Sequence, residues 1–277
     1  MSDLVTRERA LLLAALLCYF AGAIQGLAYL FSARRTGRGP LLAMILGGLA
    51  FQVAFGAARW SSQGSFPLGA SRGESLLLLI FAVAVIALVL HATDRARAAP
   101  AFAMPVAVAL FAGVFLSLDR PIEEPFRDPW IFGHIATAML GYGAFVTAFA
   151  FGMMHLLLVR QLRSRRLSAL AQRLPPIETL ERSLASCLLL GVLLLATSLA
   201  LGAAYAAGRI ALSDWITDAK VLCSLLTWVY YASALAARYA GGVTGERLSR
   251  LAIGGLAGVV AIYLLTALVF AGGHPFR

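Results

Sequence analysis

The stretch IFGHIATAMLGYGAFVTAFAFGMMHLLLV, residues 131–159, contains no Asp, Glu, Lys or Arg. Wound as a helix it exceeds the ~20 residues that cross ~30 Å of hydrocarbon at 1.5 Å per residue. Seven other apolar segments flank it: Ala10–Phe31, Leu41–Ala58, Ser75–His91, Phe102–Leu118, Leu184–Ala206, Lys220–Ala237 and Leu251–Ala271. The chain is 61% hydrophobic and 13% charged, against about half and a quarter in soluble domains. Short alternating strands of the kind that build a β-barrel are not visible. The expectation is an all-α polytopic integral membrane protein of about eight transmembrane helices. The spans fill nearly all of residues 1–277, leaving one transmembrane domain. The first apolar run is too long for a signal-peptide core and lacks a small-residue cleavage site, so it reads as a helix.

Charge sets the orientation. The loops after spans one, three, five and seven hold fourteen of the 23 basic residues against Asp94, Glu178, Glu181 and Glu246. The opposite loops hold equal numbers of acids and bases, so the whole +10 net charge lies on one face. By the positive-inside rule that face is cytoplasmic, and both termini are periplasmic. The basic loops lie against anionic lipid, and the high net charge is no argument for nucleic acid. Cys18, Cys187 and Cys223 all fall in apolar segments without a C-x-x-C pair, which speaks for packing rather than dithiol or zinc chemistry. The basic segment from Arg160 to Arg182 carries Pro175-Pro176. Helix five is expected to run on through Leu167 and stop before those prolines.

Four histidines occur. His134 opens the quoted segment and His274 follows the last span, both on the outer side. Imidazole is the commonest protein ligand to haem iron, so the pair suggests a bis-histidine site. His91 and His155 belong to the inner side. His134 and His155 are ~31 Å apart along one helix, too far to share a ligand. Trp215, Asp218 and Lys220 form a polar, aromatic lip at the outer start of span seven. Lys220 is the one lysine among 22 arginines. The plainer reading of the lip is a helix cap, an interfacial lysine and an aromatic belt. Glu74, in the first turn of span three, reads as a dipole-complementing acid.

Taken together, these pieces resemble the cytochrome c assembly family of haem-handling membrane proteins, the CcsA/CcmC group, and within it the smaller HemX and YpjD-type members. Phe66-Pro67-Leu68 with Glu74-Ser75-Leu76 is similar to the pre-helix segment. Gly133-His134-Ile135 with Gly141-Tyr142-Gly143-Ala144 is similar to the histidine-headed helix. Leu174-Pro175-Pro176-Ile177-Glu178-Thr179-Leu180-Glu181 resembles the linker of YpjD-type members. Asp218-Ala219-Lys220, Thr227-Trp228-Val229-Tyr230-Tyr231, Gly242 to Arg247 and Gly273-His274-Pro275-Phe276 complete the order across residues 66–277.

The resemblance implies a haem b held at the outer surface, with His134 and His274 as iron ligands and Trp215, Asp218 and Lys220 around the ring. It implies a non-enzymatic role in cytochrome c maturation in the bacterial cytoplasmic (inner) membrane. The partners implied are the lipid bilayer, other maturation proteins and apocytochrome c. Two departures narrow this to haem binding rather than haem export. Only Trp215 and Asp218 remain of the family's W-G-x-x-W-x-W-D loop, and Ala236 stands where larger members carry an intramembrane histidine. Two alternatives stand beside it. One is a two-haem transmembrane electron carrier that also uses His91 and His155. The other is a membrane regulator of haem biosynthesis docking a partner on residues 160–182.

Overall fold

The computed structural model describes the backbone of residues 2–31, 37–63, 72–93, 96–117, 129–165, 171–207, 209 and 211–269. The described residues form nine α-helices and one 3-10 turn, Ala171–Arg173. They are α1 (Ser2–Phe31), α2 (Arg38–Gln63), α3 (Arg72–Ala92), α4 (Pro100–Ser117), α5 (Pro129–Arg163), α6 (Ile177–Ala206), α7 (Leu212–Thr217), α8 (Ala219–Tyr239) and α9 (Gly245–Val269). Six of them, α1, α2, α3, α5, α6 and α8, are long and apolar enough to cross a bilayer. The apolar part of α4, Pro100–Phe115, is shorter. The protein is an all-helical, multi-pass membrane protein.

Three local outcomes differ from the sequence expectation. α5 stops at Arg163 instead of continuing through Leu167. The break comes at Arg165, whose φ of 52° lies in the left-handed region that a helix cannot pass through. The prolines do not end α5; Pro176 instead caps the start of α6, and its carbonyl accepts the Leu180 amide at 3.0 Å. The stretch from Gly208 to Ala219, whose polar composition predicts a loop, is not all loop, because α7 winds six residues there.

Two packed groups of buried side chains meet along α5. One joins α1–α4 to Val146 and Ala150. The other joins α6, α8 and α9 to Phe145, Ala148, Phe151 and Met154. Lipid offers no hydrophobic drive between helices, so close approach at small residues carries the packing. Gly141 lets α5 lie against the α6 backbone, where an added Cβ would sit 3.3 Å from the Gly191 carbonyl oxygen. Inside α1–α3, Tyr19 donates to Gln52 Oε1 at 2.6 Å, and Gln52 Nε2 donates to the Leu77 carbonyl at 3.1 Å. Such interhelical bonds satisfy polar groups where water is absent.

The helices alternate in direction. The starts of α1, α3, α5 and α8 therefore share one end with the finishes of α2, α6 and α9. Glu8 on α1, Arg59 on α2 and Glu74 on α3 meet at that end, which fixes the alternation of those three helices. Trp60 and Trp130 are exposed there, as interfacial tryptophans are.

Candidate functional site

His134 sits one turn into α5, facing α6. Its Nδ1 lies 2.7 Å from the carbonyl oxygen of Ser198 and 3.0 Å from Ser198 Oγ. The Ser198 hydroxyl in turn donates to the His134 carbonyl at 2.9 Å. A carbonyl oxygen only accepts, so Nδ1 carries the imidazole hydrogen and donates it. In the neutral imidazole Nε2 is then the nitrogen without a hydrogen, and among the described residues it has no hydrogen bond. This is the state a metal-ligating histidine requires: one nitrogen held by a carbonyl, the other presenting its lone pair. Gly202, one turn further along α6, makes room for the ring. A Cβ at that position would stand 3.0 Å from both Cε1 and Nδ1.

The lip residues lie at the same end of the bundle. α7 follows the finish of α6 and carries Trp215, which is half-buried. Asp218 links α7 to α8 and accepts the Val221 amide at 3.3 Å, the bond of a helix N-cap. The side chain of Lys220 and the whole of His274 lie outside the described residues. α9, whose end precedes His274, finishes at the end of the bundle where α5 starts. His134 makes no hydrogen bond to Trp215 or Asp218. Among the described residues no group of three or more His, Cys, Asp and Glu side chains gathers to hold a metal.

The aromatic run on α8 binds helices to one another. Trp228 Nε1 donates to the Val192 carbonyl at 3.1 Å, and Tyr230 and Tyr231 donate to the carbonyls of Leu251 and Ala252. Tyr231 also stacks on Phe145 at 3.9 Å. The glycines of the following turn are there for backbone reasons, since Gly242 and Gly245 have φ of 64° and 59°. The remaining histidines are held at the opposite end of the bundle. His155 Nδ1 is 3.0 Å from Ser249 Oγ, and His91 Nδ1 is 3.1 Å from the Arg97 carbonyl. Cys18, Cys187 and Cys223 are free thiols, each half-buried.

Sequence reasoning missed Ser198 and Gly202, the two residues that set His134. Ser198 lies 64 positions from its partner, and a serine inside an apolar run carries no pattern that marks it as an orienting group.

Residues 71–274 match the family described as cytochrome C assembly protein. The chain belongs to that family. The cytochrome c biogenesis protein CcsA of Microcystis aeruginosa is 26% identical over 269 residues, covering 79% of this chain and 81% of the relative. CcsA of Synechococcus elongatus is 24% identical and covers 96% and 94%. Protein HemX of Brevibacillus brevis is 35% identical over 136 residues, about half of each chain. The matched region takes in α3 to α9, and with them both His134 and His274. The chain is thus a multi-pass membrane protein of cytochrome c biogenesis.

Proposed function

We propose that this family member binds haem at the outer face of a bacterial cytoplasmic membrane and hands it on, without enzymatic activity, during cytochrome c maturation. The carrying observation is the state of His134: Nδ1–H is given to the Ser198 carbonyl, and Nε2 presents its lone pair. His134 and His274 would hold the iron axially, with Trp215 against the ring and Asp218 and Lys220 at its rim. Haem b supplies the iron-porphyrin cargo. Two imidazoles leave no open position for oxygen chemistry, which suits a carrier.

The topology in this reading has eight spans: α1 to α6, α8 and α9, with α7 too short to cross. Both termini are periplasmic, because the basic residues gather at the loops on the opposite side. The inner histidines lend no weight to a second haem. His91 and His155 answer to separate neighbours, the Arg97 carbonyl and the Ser249 hydroxyl.

The test is an absorption titration of the detergent-purified chain with haem. The expected result is a low-spin Soret band saturating at about one haem per chain, the count for one bis-histidine site. The double variant His134→Ala/His274→Ala loses it. A purified chain without a Soret band after haem addition overturns haem binding. An unchanged spectrum in the double variant overturns the ligand assignment.

A second expectation concerns the group behind the ligand. Ser198→Ala removes the hydroxyl clamp but keeps the backbone carbonyl, so haem affinity falls about tenfold while the low-spin band persists. Equal dissociation constants for Ser198→Ala and wild type would show that the clamp does not orient the ring.

A further inference from the structure

Four helices, α5, α6, α8 and α9, form one group: α5 and α8 both pack on α6 and on α9 and face each other between them. α8 carries the lip, because Trp215 and Asp218 stand just before it in the chain. It is also the least buried of the six long spans. In hydrocarbon a helix gains little from apolar contact with its neighbours, since acyl chains offer the same contact. Its height along the bundle axis is then poorly fixed by packing. A hydrogen bond between two helices does fix it, because the bond weakens steeply once donor and acceptor part or lose alignment.

α8 has two such bonds to the helices that hold His134. The Tyr142 hydroxyl of α5 lies 3.2 Å from Ser224 Oγ. Trp228 Nε1 donates to the Val192 carbonyl of α6 at 3.1 Å. The bonds from Tyr230 and Tyr231 to the carbonyls of Leu251 and Ala252 tie α8 to α9 instead. α5 and α8 both descend from the end where His134 lies, so a height on one can be carried to the other. His134 stands eight positions before Tyr142, ~12 Å at 1.5 Å per residue. The same rise from Ser224 passes Ala219, the first residue of α8, and ends in the lip between Trp215 and Asp218. The bond to α6 leads to nearly the same level. Ser198, which meets His134, stands six positions after Val192, and six positions before Trp228 is Leu222, about one turn from Asp218. A long side chain leans toward the start of its own helix, which brings that level closer still to Asp218.

We infer that Tyr142 and Trp228 are positioning residues for the site at His134. Through Ser224 and the Val192 carbonyl they hold α8 at the height that brings Trp215 and Asp218 level with the imidazole. Neither residue contacts the haem; each sets where the lip stands. For haem this rests on the function proposed above, and for the height of α8 it rests on the two bonds alone.

A haem titration of the detergent-purified full chain, followed by its Soret band, tests this together with hydrogen exchange of the haem-free chain. Tyr142→Phe, Ser224→Ala and Trp228→Phe are each expected to weaken haem binding about threefold, with the low-spin band kept at saturation. Ser224→Thr, which keeps the hydroxyl, returns wild-type affinity. Tyr142→Phe combined with Ser224→Ala weakens binding no further than either alone, since both remove one bond. Tyr19→Phe removes a hydroxyl bond of the same kind, to Gln52 between α1 and α2, and leaves haem affinity unchanged. An equal loss in Tyr19→Phe and Tyr142→Phe reduces the effect to general destabilisation and overturns the positioning role. Wild-type dissociation constants in both Tyr142→Phe and Trp228→Phe overturn it as well. In the haem-free chain, Tyr142→Phe and Trp228→Phe speed exchange at the amides of Val221 and Leu222, which bond to Asp218, and Tyr19→Phe does not. If the wild-type chain takes up no haem, the function proposed above falls and exchange alone decides here. Unchanged exchange in both variants overturns the height-setting role whatever the haem titration gives.

Discussion

Gly191→Ala is expected to cost about 3 kcal/mol and lower the melting temperature of the detergent-solubilised chain by roughly 6–12 °C. A Cβ at Gly191 would lie 2.3 Å from Cε1 of Phe145. The Phe145 ring has nowhere to retreat. It is fully buried, stacked on Tyr231 at 3.9 Å and met edge-on by Tyr142 at 6.4 Å between centroids. The strain therefore passes into the α5–α6 interface, where Gly141 already brings the two backbones close. Pairing Gly191→Ala with Phe145→Leu should recover most of the loss, since the smaller side chain vacates the space the methyl needs. A melting temperature for Gly191→Ala within about 2 °C of wild type would mean that this interface is looser than the geometry indicates.

The second large effect is at the end of α1–α3 where Glu8, Arg59 and Glu74 meet. Arg59 Nη1 is 2.6 Å from Glu8 Oε2, and its Nε is 3.4 Å from Glu74 Oε1. All three side chains are largely removed from solvent, Glu74 almost completely. Arg59→Met takes the guanidinium away from two buried carboxylates. Removing one partner of a buried ion pair costs about 3–5 kcal/mol, because the remaining charge has lost its compensation. The loss should appear as an earlier thermal transition, largely rescued by Glu8→Gln and Glu74→Gln in the same chain. If the Arg59→Met transition coincides with wild type, the triad contributes registry and not stability. The prediction also gives Glu74 its role. The acid sits in the first turn of α3, as the sequence reading held, and it faces an arginine from α2.

The membrane class, the helical character and the family were legible without coordinates, for a physical reason. Long runs without charge have one stable form in hydrocarbon, the helix whose backbone satisfies itself. Residues 131–159 are such a run, and α5 contains them whole. The family resemblance also picked out the histidine-headed helix and the run from Gly242 to Arg247, in which Gly242 and Gly245 meet local backbone needs. Helix ends were less legible. α5 ends where Arg165 turns left-handed, and no side-chain pattern at positions 160–170 announces that conformation. α7 is one short helix in a stretch with ordinary turn composition.

The site divides the same way. Sequence could nominate His134, since an imidazole at the head of an apolar helix is conspicuous by its type and place. It could not supply the tautomer. That depends on the Ser198 carbonyl arriving 2.7 Å from Nδ1, and only the packing of α5 on α6 brings it there. Asp218 was read both as a cap and as a rim anchor, and the bond to the Val221 amide gives it the capping role at the least. His91 shows the division most sharply. By position it was one more inner-side histidine; the carbonyl of Arg97 meeting its Nδ1 left its Nε2 buried without a hydrogen-bond partner among the described residues. What the amino-acid order decided by itself was that the chain is a multi-pass helical membrane protein, because the gain from burying apolar surface depends on composition along the chain. What the tertiary structure alone decided was which nitrogen of His134 meets a carbonyl, because a hydrogen bond depends on tenths of an ångström between helices far apart in sequence.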